Sequence, residues 1–214
     1  CVALEGKLYA VGGIGAGNKA LDTAEVYDPQ ADRWQPLAKM THARFGLQLA
    51  AVGGKVYAIG GWSGSATLTS VEVYDPQLGA WALVASMSGK RCHHASVVLD
   101  GKIYAIGGIG GGVLDTVEVY DPQADSWQLV ASMPLAILCL AATAMGGKIY
   151  VTGGIHQGYT SMSSVYVYDP QADAWTQLAS MSIARQSHAS AAVGGKLYVF
   201  GGYGAGGGGY LSTA

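Results

Sequence analysis

Lys55-Val-Tyr-Ala-Ile-Gly-Gly61, then Val71-Glu-Val-Tyr-Asp-Pro-Gln77 and Trp81, make up one unit of a phrase that recurs throughout the 214 residues. The first half returns as Lys7–Gly13, Lys102–Gly108, Lys148–Gly154 and Lys196–Gly202. The second half returns around Asp28/Trp34, Asp121/Trp127 and Asp169/Trp175. Successive aspartates lie 47, 46 and 48 residues apart. A period of this length marks a solenoid, an array or a propeller. Residues that recur once per unit are therefore judged first as scaffold.

Each unit parses into four short strands. In the second unit these are Leu47 to Val52 (a), Lys55 to Ile59 (b), Val71 to Asp75 (c) and Trp81 to Ala85 (d). The a–b turns are Glu5-Gly6, Gly53-Gly54, Asp100-Gly101, Gly146-Gly147 and Gly194-Gly195, pairs suited to a two-residue hairpin with positive φ. Asp-Pro opens the c–d turn, because proline pre-sets φ at its second position. Strand a is rich in small residues, as in Ala141-Ala142-Thr143-Ala144, which suits strands converging on an axis.

The order Met-x-x-x-Arg, strand, Gly-Gly, Val-Tyr-Asp-Pro, Trp resembles the kelch repeat over nearly the whole chain. The resemblance implies an all-β, kelch-type β-propeller of four-stranded antiparallel blades. Strands a and b occur five times and c and d four times, so four full blades and a partial fifth are expected. The units run approximately 1–40, 41–87, 88–133, 134–181 and 182–214 (incomplete), within a single domain, 1–214. The chain begins at Cys1 without a methionine, and an excised piece of a longer protein is expected. An unfinished blade exposes strand edges, so self-association is an expected consequence. One copy departs from the pattern: Met133-Pro-Leu-Ala-Ile137 has isoleucine where Arg44, Arg91 and Arg185 stand elsewhere.

Composition excludes several classes. Charged residues are 12% of the chain and the net charge is −2, so no basic field exists for nucleic acid. No apolar run reaches the ~18 residues that span a bilayer, so no membrane partner is expected. Cys1, Cys92 and Cys139 are an odd set without metal-ligand spacing, which points to a reducing, cytoplasmic setting.

Antiparallel order puts the a–b and c–d turns on one face and the b–c and d–a loops on the other. The turn face is nearly the same in every unit. All length variation falls in the b–c loops, of nine, eight and ten residues in the second to fourth units. Repeats commonly vary their loops on the binding face. Candidate ligand contacts follow the Gly-Gly doublets (Ile14, Trp62, Ile109, Ile155 with His156, Tyr203) or the Met-x-x-x-Arg position (Phe45, His93, Leu138, Gln186, Ser187). In kelch substrate receptors of ubiquitin ligases these positions contact peptides, so the resemblance implies the same here. Trp62, the one tryptophan outside the strand-d register, suits an interface anchor. A face so poor in charge favours an apolar or neutral protein or peptide ligand.

The doublets Gly12-Gly13, Gly60-Gly61, Gly107-Gly108, Gly153-Gly154 and Gly201-Gly202 are assigned to structure. So are Trp34, Trp81, Trp127 and Trp175, expected as core pins. Neither Asp28, Asp75, Asp121 and Asp169 nor the strand-b lysines suggest catalysis, since each sits in a repeated turn. His93 and His94, adjacent on an expected strand, would face opposite ways, whereas His94 and His188 share one strand position. His156 and Tyr159 share the long b–c loop. No residue set matches the copper oxidases of the kelch family, and Gly204–Gly209 lacks the lysine and helix of a phosphate loop. No catalytic residue, metal or cofactor is assigned. The resemblance implies a substrate adaptor of a cullin-type ubiquitin ligase, with an oligomerising domain upstream of Cys1. Two alternatives stay open: a kelch-propeller enzyme (copper oxidase or sugar-processing) and an engineered or partnerless repeat scaffold.

Overall fold

A computed structural model describes residues 1–157, 160–204 and 209–212. Tyr159, the middle of the Gly204–Gly209 stretch and the last two residues lie outside them.

The first sheet runs β1 (Val2–Leu4), β2 (Lys7–Val11), β3 (Ala24–Asp28), β4 (Arg33–Pro36). Next come β5 (Gln48–Val52), β6 (Lys55–Ile59), β7 (Val71–Asp75) and β8 (Ala80–Val84). The third holds β9 (Ala95–Leu99), β10 (Lys102–Ile106), β11 (Val117–Asp121) and β12 (Ser126–Val130). A short β13 (Ile137–Leu138) precedes β14 (Ala141–Met145) and β15 (Lys148–Thr152). After β16 (Ile155–His156) and β17 (Thr160–Ser161), β18 (Val165–Asp169) and β19 (Ala174–Leu178) complete the fourth sheet, β14-β15-β18-β19. The chain goes on through β20 (Arg185–Gln186), β21 (Ala189–Val193), β22 (Lys196–Phe200) and β23 (Tyr203–Gly204). Among the described residues the fifth sheet has two strands, β21-β22. The fold is thus four full antiparallel blades and a partial fifth.

Local chemistry accounts for this regularity. Each a–b turn has both central residues at positive φ: Gly53 at 59° and Gly54 at 72°, Asp100 at 51° and Gly101 at 74°. This is the backbone a two-residue hairpin matched to strand twist requires. At the c–d turn, the Asp75 carboxylate accepts the N–H groups of Gln77 (2.9 Å) and Leu78 (3.3 Å), closing an Asx turn. Asp28, Asp121 and Asp169 do the same.

Strand b of the second and third blades is buried on both faces. Val56, Tyr57, Ala58 and Ile59 of β6 are all buried, so the strand reads as a continuous apolar run rather than an alternation. Strand d begins one residue earlier than expected, at Ala80, and strand a one later, at Gln48.

The chain divides into two compact units. One comprises Cys1–Cys92, Gly101–Ile103 and Tyr120–Trp127; the other His93–Asp100, Tyr104–Val119 and Gln128–Ala214. In the first, Tyr9, Val11, Val26, Met40, Val56, Ala58 and Tyr74 form a buried cluster. In the second, Ile106, Val117, Met133, Ile137, Leu140, Val151, Tyr166 and Tyr168 do so.

Candidate binding face

A backbone knot joins each of the first four Gly-Gly doublets to the unit that follows. Gly13 N–H donates to Arg44 O (2.8 Å), Arg44 N–H to Leu21 O (2.9 Å), and Leu21 N–H back to Gly13 O (3.0 Å). The same triangle links Gly61, Leu68 and Arg91; Gly108, Leu114 and Ile137; and Gly154, Met162 and Arg185. Glycine is needed because a Cβ on Gly12 would lie 2.5 Å from Arg44 O, while Gly12 itself sits at φ +63°. The knot uses backbone atoms alone, so isoleucine at 137 leaves it intact.

Residues of the two candidate sets meet in three pairs. Phe45 and Trp62 exchange both hydrogen bonds (3.0 and 2.7 Å). Leu138 pairs with Ile155, and Gln186 with Tyr203. Each doublet residue also pairs with its own returning b–c segment: Ile14 with Ala20, Trp62 with Thr67, Ile109 with Val113, Ile155 with Ser161 and Tyr203 with Tyr210. The expected open loops are therefore small antiparallel ribbons. Sequence reading missed them because two-residue pairings carry no periodicity.

Exposure separates the candidates. Ile14 is 55% exposed, Tyr203 40% and the neighbouring Tyr210 92%. Trp62, Phe45, Ile109, His93, His156 and Gln186 are half-buried, and Ser187 is exposed. Leu138 and Ile155 are buried. The His156 ring nitrogen Nδ1 lies 2.9 Å from Ala136 O, an anchor for the long b–c loop.

The expected strand placement of His93 is corrected. It sits at φ 51°, before β9 begins at Ala95, in the left-handed step that Gly46 (60°), Cys139 (54°) and Ser187 (51°) take at the same repeat position. These residues are linked: Ser187 N–H donates to Cys139 O (2.9 Å) and Cys139 N–H to His93 O (2.8 Å). Nearby, His188 Nε2 lies 2.8 Å from Thr152 Oγ1. Burial, then the charge of Arg185, pushes His188 down to about 4, against the pull of Thr152. Burial also lowers His93 and raises the Cys139 thiol.

None of the motif arginines is offered to a ligand. Arg44 and Arg91 are fully buried and Arg185 is 5% exposed. Arg44 donates to Gly60 O (2.8 Å), Ser70 O (3.0 Å) and the Glu72 carboxylate (2.7 Å), while Arg185 donates to Gly201 O (2.8 Å). Burial alone would raise the Glu72 carboxyl; the N–H groups of Thr41 and His42, with Arg44, hold it below the ordinary glutamate range.

On the opposite face, one expectation changes. Four strand-b lysines pair with the aspartate of their own c–d turn: Lys7–Asp28 at 2.9 Å, Lys55–Asp75 at 3.0 Å, Lys102–Asp121 at 3.3 Å and Lys148–Asp169 at 2.9 Å. Trp81, Trp127 and Trp175 are half-buried clips rather than core pins, and Trp34 is exposed. Trp127 Nε1 donates to Ala85 O (2.9 Å) while Ala85 N–H donates to Asp125 (2.8 Å), so both backbone groups of Ala85 are held. Asp173 and Trp175 hold Ala131 alike, at 2.8 Å each. In the second blade Gly79 replaces the aspartate and Trp81 alone reaches Ala38 O (2.9 Å). The Asp-x-Trp spacing in the sequence was the available signal for this clip.

Among the described residues no three His, Cys, Asp or Glu side chains are grouped to hold a metal ion. No described helix is long and apolar enough to cross a membrane.

Comparison with known proteins agrees with this architecture. The solved structure of YjhT superimposes with a TM-score of 0.87 at 17% identity, covering 99% of this chain and 78% of that one, a likeness of fold. An F-box/kelch-repeat protein of Arabidopsis thaliana is 38% identical over 61 residues, 28% of this chain and 16% of that protein. The Influenza virus NS1A-binding protein homolog of Mus musculus is 41% identical over 61 residues, 28% of this chain and 9% of its own length. Kelch-like protein 34 of Homo sapiens is 42% identical over 66 residues, 30% of this chain and 10% of its length. The matched stretches thus span a small part of each curated relative. Residues 8–207 match the Attractin/LZTR1 beta-propeller family, to which this kelch-repeat chain belongs.

Proposed function

We propose that the chain is a protein- or peptide-binding module whose ligand lies on the b–c/d–a loop face and is apolar or neutral. The observation that carries this is the burial of all three motif arginines, while each unit exposes apolar side chains at its b–c ribbons: Ile14 in the first, Tyr203 and Tyr210 in the second. An acidic peptide would find no guanidinium there, whereas aromatic and aliphatic side chains suit a desolvated contact. Contacts centre on Ile14, Trp62, Phe45, Ile109, His93, Gln186, Ser187 and Tyr203, with Leu138, Ile155 and His156 shaping the ribbons beneath. Binding rather than catalysis is supported by the repeated carboxylates, each tied to a lysine and a turn. In the whole protein, the F-box and Kelch-like relatives support a substrate adaptor of a cullin-type ubiquitin ligase, and the free thiols support a cytoplasmic setting.

Peptide display on the wild-type chain, with counter-selection on Trp62→Ala and Tyr203→Ala variants, tests the reading. Enriched peptides are expected to carry apolar or aromatic anchors and few carboxylates, and to lose at least about tenfold in affinity on either variant. Enrichment of acidic peptides, or binding indifferent to both substitutions, contradicts it.

A further inference from the structure

One seam of the turn face keeps two hydrogen-bond donors and lacks their acceptor. In the third blade a single oxygen, Asp125 Oδ1, accepts the Ala85 N–H at 2.8 Å and the Tyr120 O–H at 2.7 Å. In the fourth, Asp173 Oδ1 accepts the Ala131 N–H at 2.8 Å and the Tyr168 O–H at 2.7 Å. The second blade has Gly79 at this repeat position, and the matching donors are Ala38 N–H and Tyr74 O–H. Neither donor has an acceptor among the described residues. The rest of the seam is unchanged. Trp81 Nε1 donates to Ala38 O at 2.9 Å, as Trp127 Nε1 does to Ala85 O at 2.9 Å. The Tyr74 and Trp81 rings lie 5.3 Å apart, against 5.1 Å for Tyr120 and Trp127. Indole, tyrosine and backbone thus hold the two donors as the aspartates of other blades meet them. Gly79 takes φ +64° with nothing within 4 Å of where a Cβ would stand. Asp32, Asp125 and Asp173 make the same left-handed step, at 46°, 45° and 46°.

We propose that Ala38 N–H and Tyr74 O–H form a binding site for an external carboxylate, seated where Gly79 lacks the aspartate side chain. Relative to glycine, aspartate adds a CH2–COO− group, so acetate matches the atoms that differ. The donor pair favours the ionised form. In the third blade the Ala85 N–H, then the Tyr120 O–H, hold the Asp125 carboxyl below the ordinary aspartate range. Ala131 and Tyr168 do the same for Asp173. Bonds to a charged acceptor of this kind are stronger than bonds to a neutral one. Tyr74 is buried but Ala38 is exposed, so a short carboxylate arm reaches the pair from solvent. Two sources carry that arm: a small free acid, or an aspartate side chain of another polypeptide. Leu78, 78% exposed where the other c–d turns have alanine, offers an apolar contact to the second. All of these residues belong to the first compact unit. The site is on the turn face, and the inference does not depend on the loop-face reading.

Sodium acetate is the probe, with sodium chloride at matched ionic strength as the control. The readout is the Ala38 amide resonance of the isotope-labelled chain. It is expected to move saturably, with a Kd on the order of 10–100 mM for two bonds at the surface. Binding this weak does not enrich peptides in display, so the two tests stay separate. Tyr74→Phe, which removes one donor and keeps the ring, is expected to weaken acetate binding about three- to tenfold. Gly79→Asp supplies the carboxylate within the chain and is expected to abolish the acetate response and raise Tm. The reverse change, Asp125→Gly, is expected to make the Ala85 amide respond as Ala38 does. A blocked Asp-Leu dipeptide titrated in parallel identifies the source. Tighter binding than acetate assigns the site to a polypeptide's aspartate, and equal or weaker binding assigns it to a small free acid. No saturable shift up to about 0.5 M acetate overturns the proposal. So does an equal response to chloride, or a response that Gly79→Asp leaves unchanged.

Discussion

The Arg44 guanidinium lies 2.7 Å from the Glu72 carboxylate with both side chains at 0% exposure. The third blade repeats the residue types, with Arg91 and Glu118 both buried. In the fourth blade both members change together, to Ile137 and Tyr166, which share one apolar cluster. Within a single chain, the same structural position is filled once by a charged pair and once by an apolar pair of similar bulk. Buried ion pairs are often replaceable in this way, whereas removing one partner strands a charge.

Arg44→Ile alone is therefore expected to destabilise the chain by about 3–5 kcal/mol, through the uncompensated Glu72. The double variant Arg44→Ile/Glu72→Tyr, which transplants the fourth-blade pair, is expected to recover most of that loss. Urea denaturation of the singles and the double measures it. A double variant no better than the sum of the singles would show that the two solutions are not interchangeable.

Acid should reveal the half-buried His188. His188 is held near 4 in the fold against an ordinary 6.5, so between those values the unfolded chain takes up a proton that the folded chain refuses. Stability is therefore full above about pH 6.5, falls as pH drops through that window, and levels below about 4. His93, also lowered by burial, acts in the same direction. His188→Gln, which keeps a hydrogen-bonding group toward Thr152, should flatten the profile between pH 6.5 and 4. An unchanged slope in urea midpoints measured across that range counts against the assignment.

Two glycines with nearly the same backbone separate strain from collision. Gly101 has φ +74° and open space where a Cβ would stand. Gly107 has φ +61°, and a Cβ there runs into Ile137 O and within 2.9 Å of the Met133 methyl. Gly101→Ala is expected to cost about 1 kcal/mol, the left-handed penalty alone. Gly107→Ala should cost at least about twice that, because the Gly108–Leu114–Ile137 knot must open. Equal thermal shifts for the two variants would contradict the knot's structural role.

Where a feature repeats and its chemistry is local, it was legible in the sequence. The a–b turns followed from Gly-Gly and Asp-Gly pairs, and strands b and c fell on the residues expected from Lys55–Ile59 and Val71–Asp75. What escaped was chemistry between units: Arg44 reaching Glu72, Trp127 reaching Ala85, and Gly13 reaching Arg44. Such partners lie tens of residues apart, and a repeat register does not say which unit each group bonds. Apolar character likewise failed to predict exposure. Leu138 and Ile155 occupy the ribbon position that Phe45 and Trp62 hold in the second unit, yet they are buried while Ile14 is 55% exposed.

The tryptophan clips supply the sharpest comparison between equivalent residues. Trp127 is half-buried, packs against Tyr120 at a 34° tilt with centroids 5.1 Å apart, and donates to Ala85 O at 2.9 Å. Trp34 occupies the same register and meets Tyr27 at 5.3 Å, yet is 48% exposed and reaches no carbonyl among the described residues. Full burial would make Trp127→Ala cost about 3–5 kcal/mol. Half-burial with one hydrogen bond lowers the expectation to about 2–3 kcal/mol. Trp34→Ala should cost below about 1 kcal/mol, as exposed substitutions usually do. Asp125→Gly, which copies Gly79 of the second blade, should fall between them, since Ala85 N–H loses its acceptor while Trp127 stays. Chemical denaturation of the three variants gives the order directly. If Trp34→Ala proves as costly as Trp127→Ala, stability at this position comes from the tyrosine–tryptophan contact within one blade, and the clip to Ala85 is incidental.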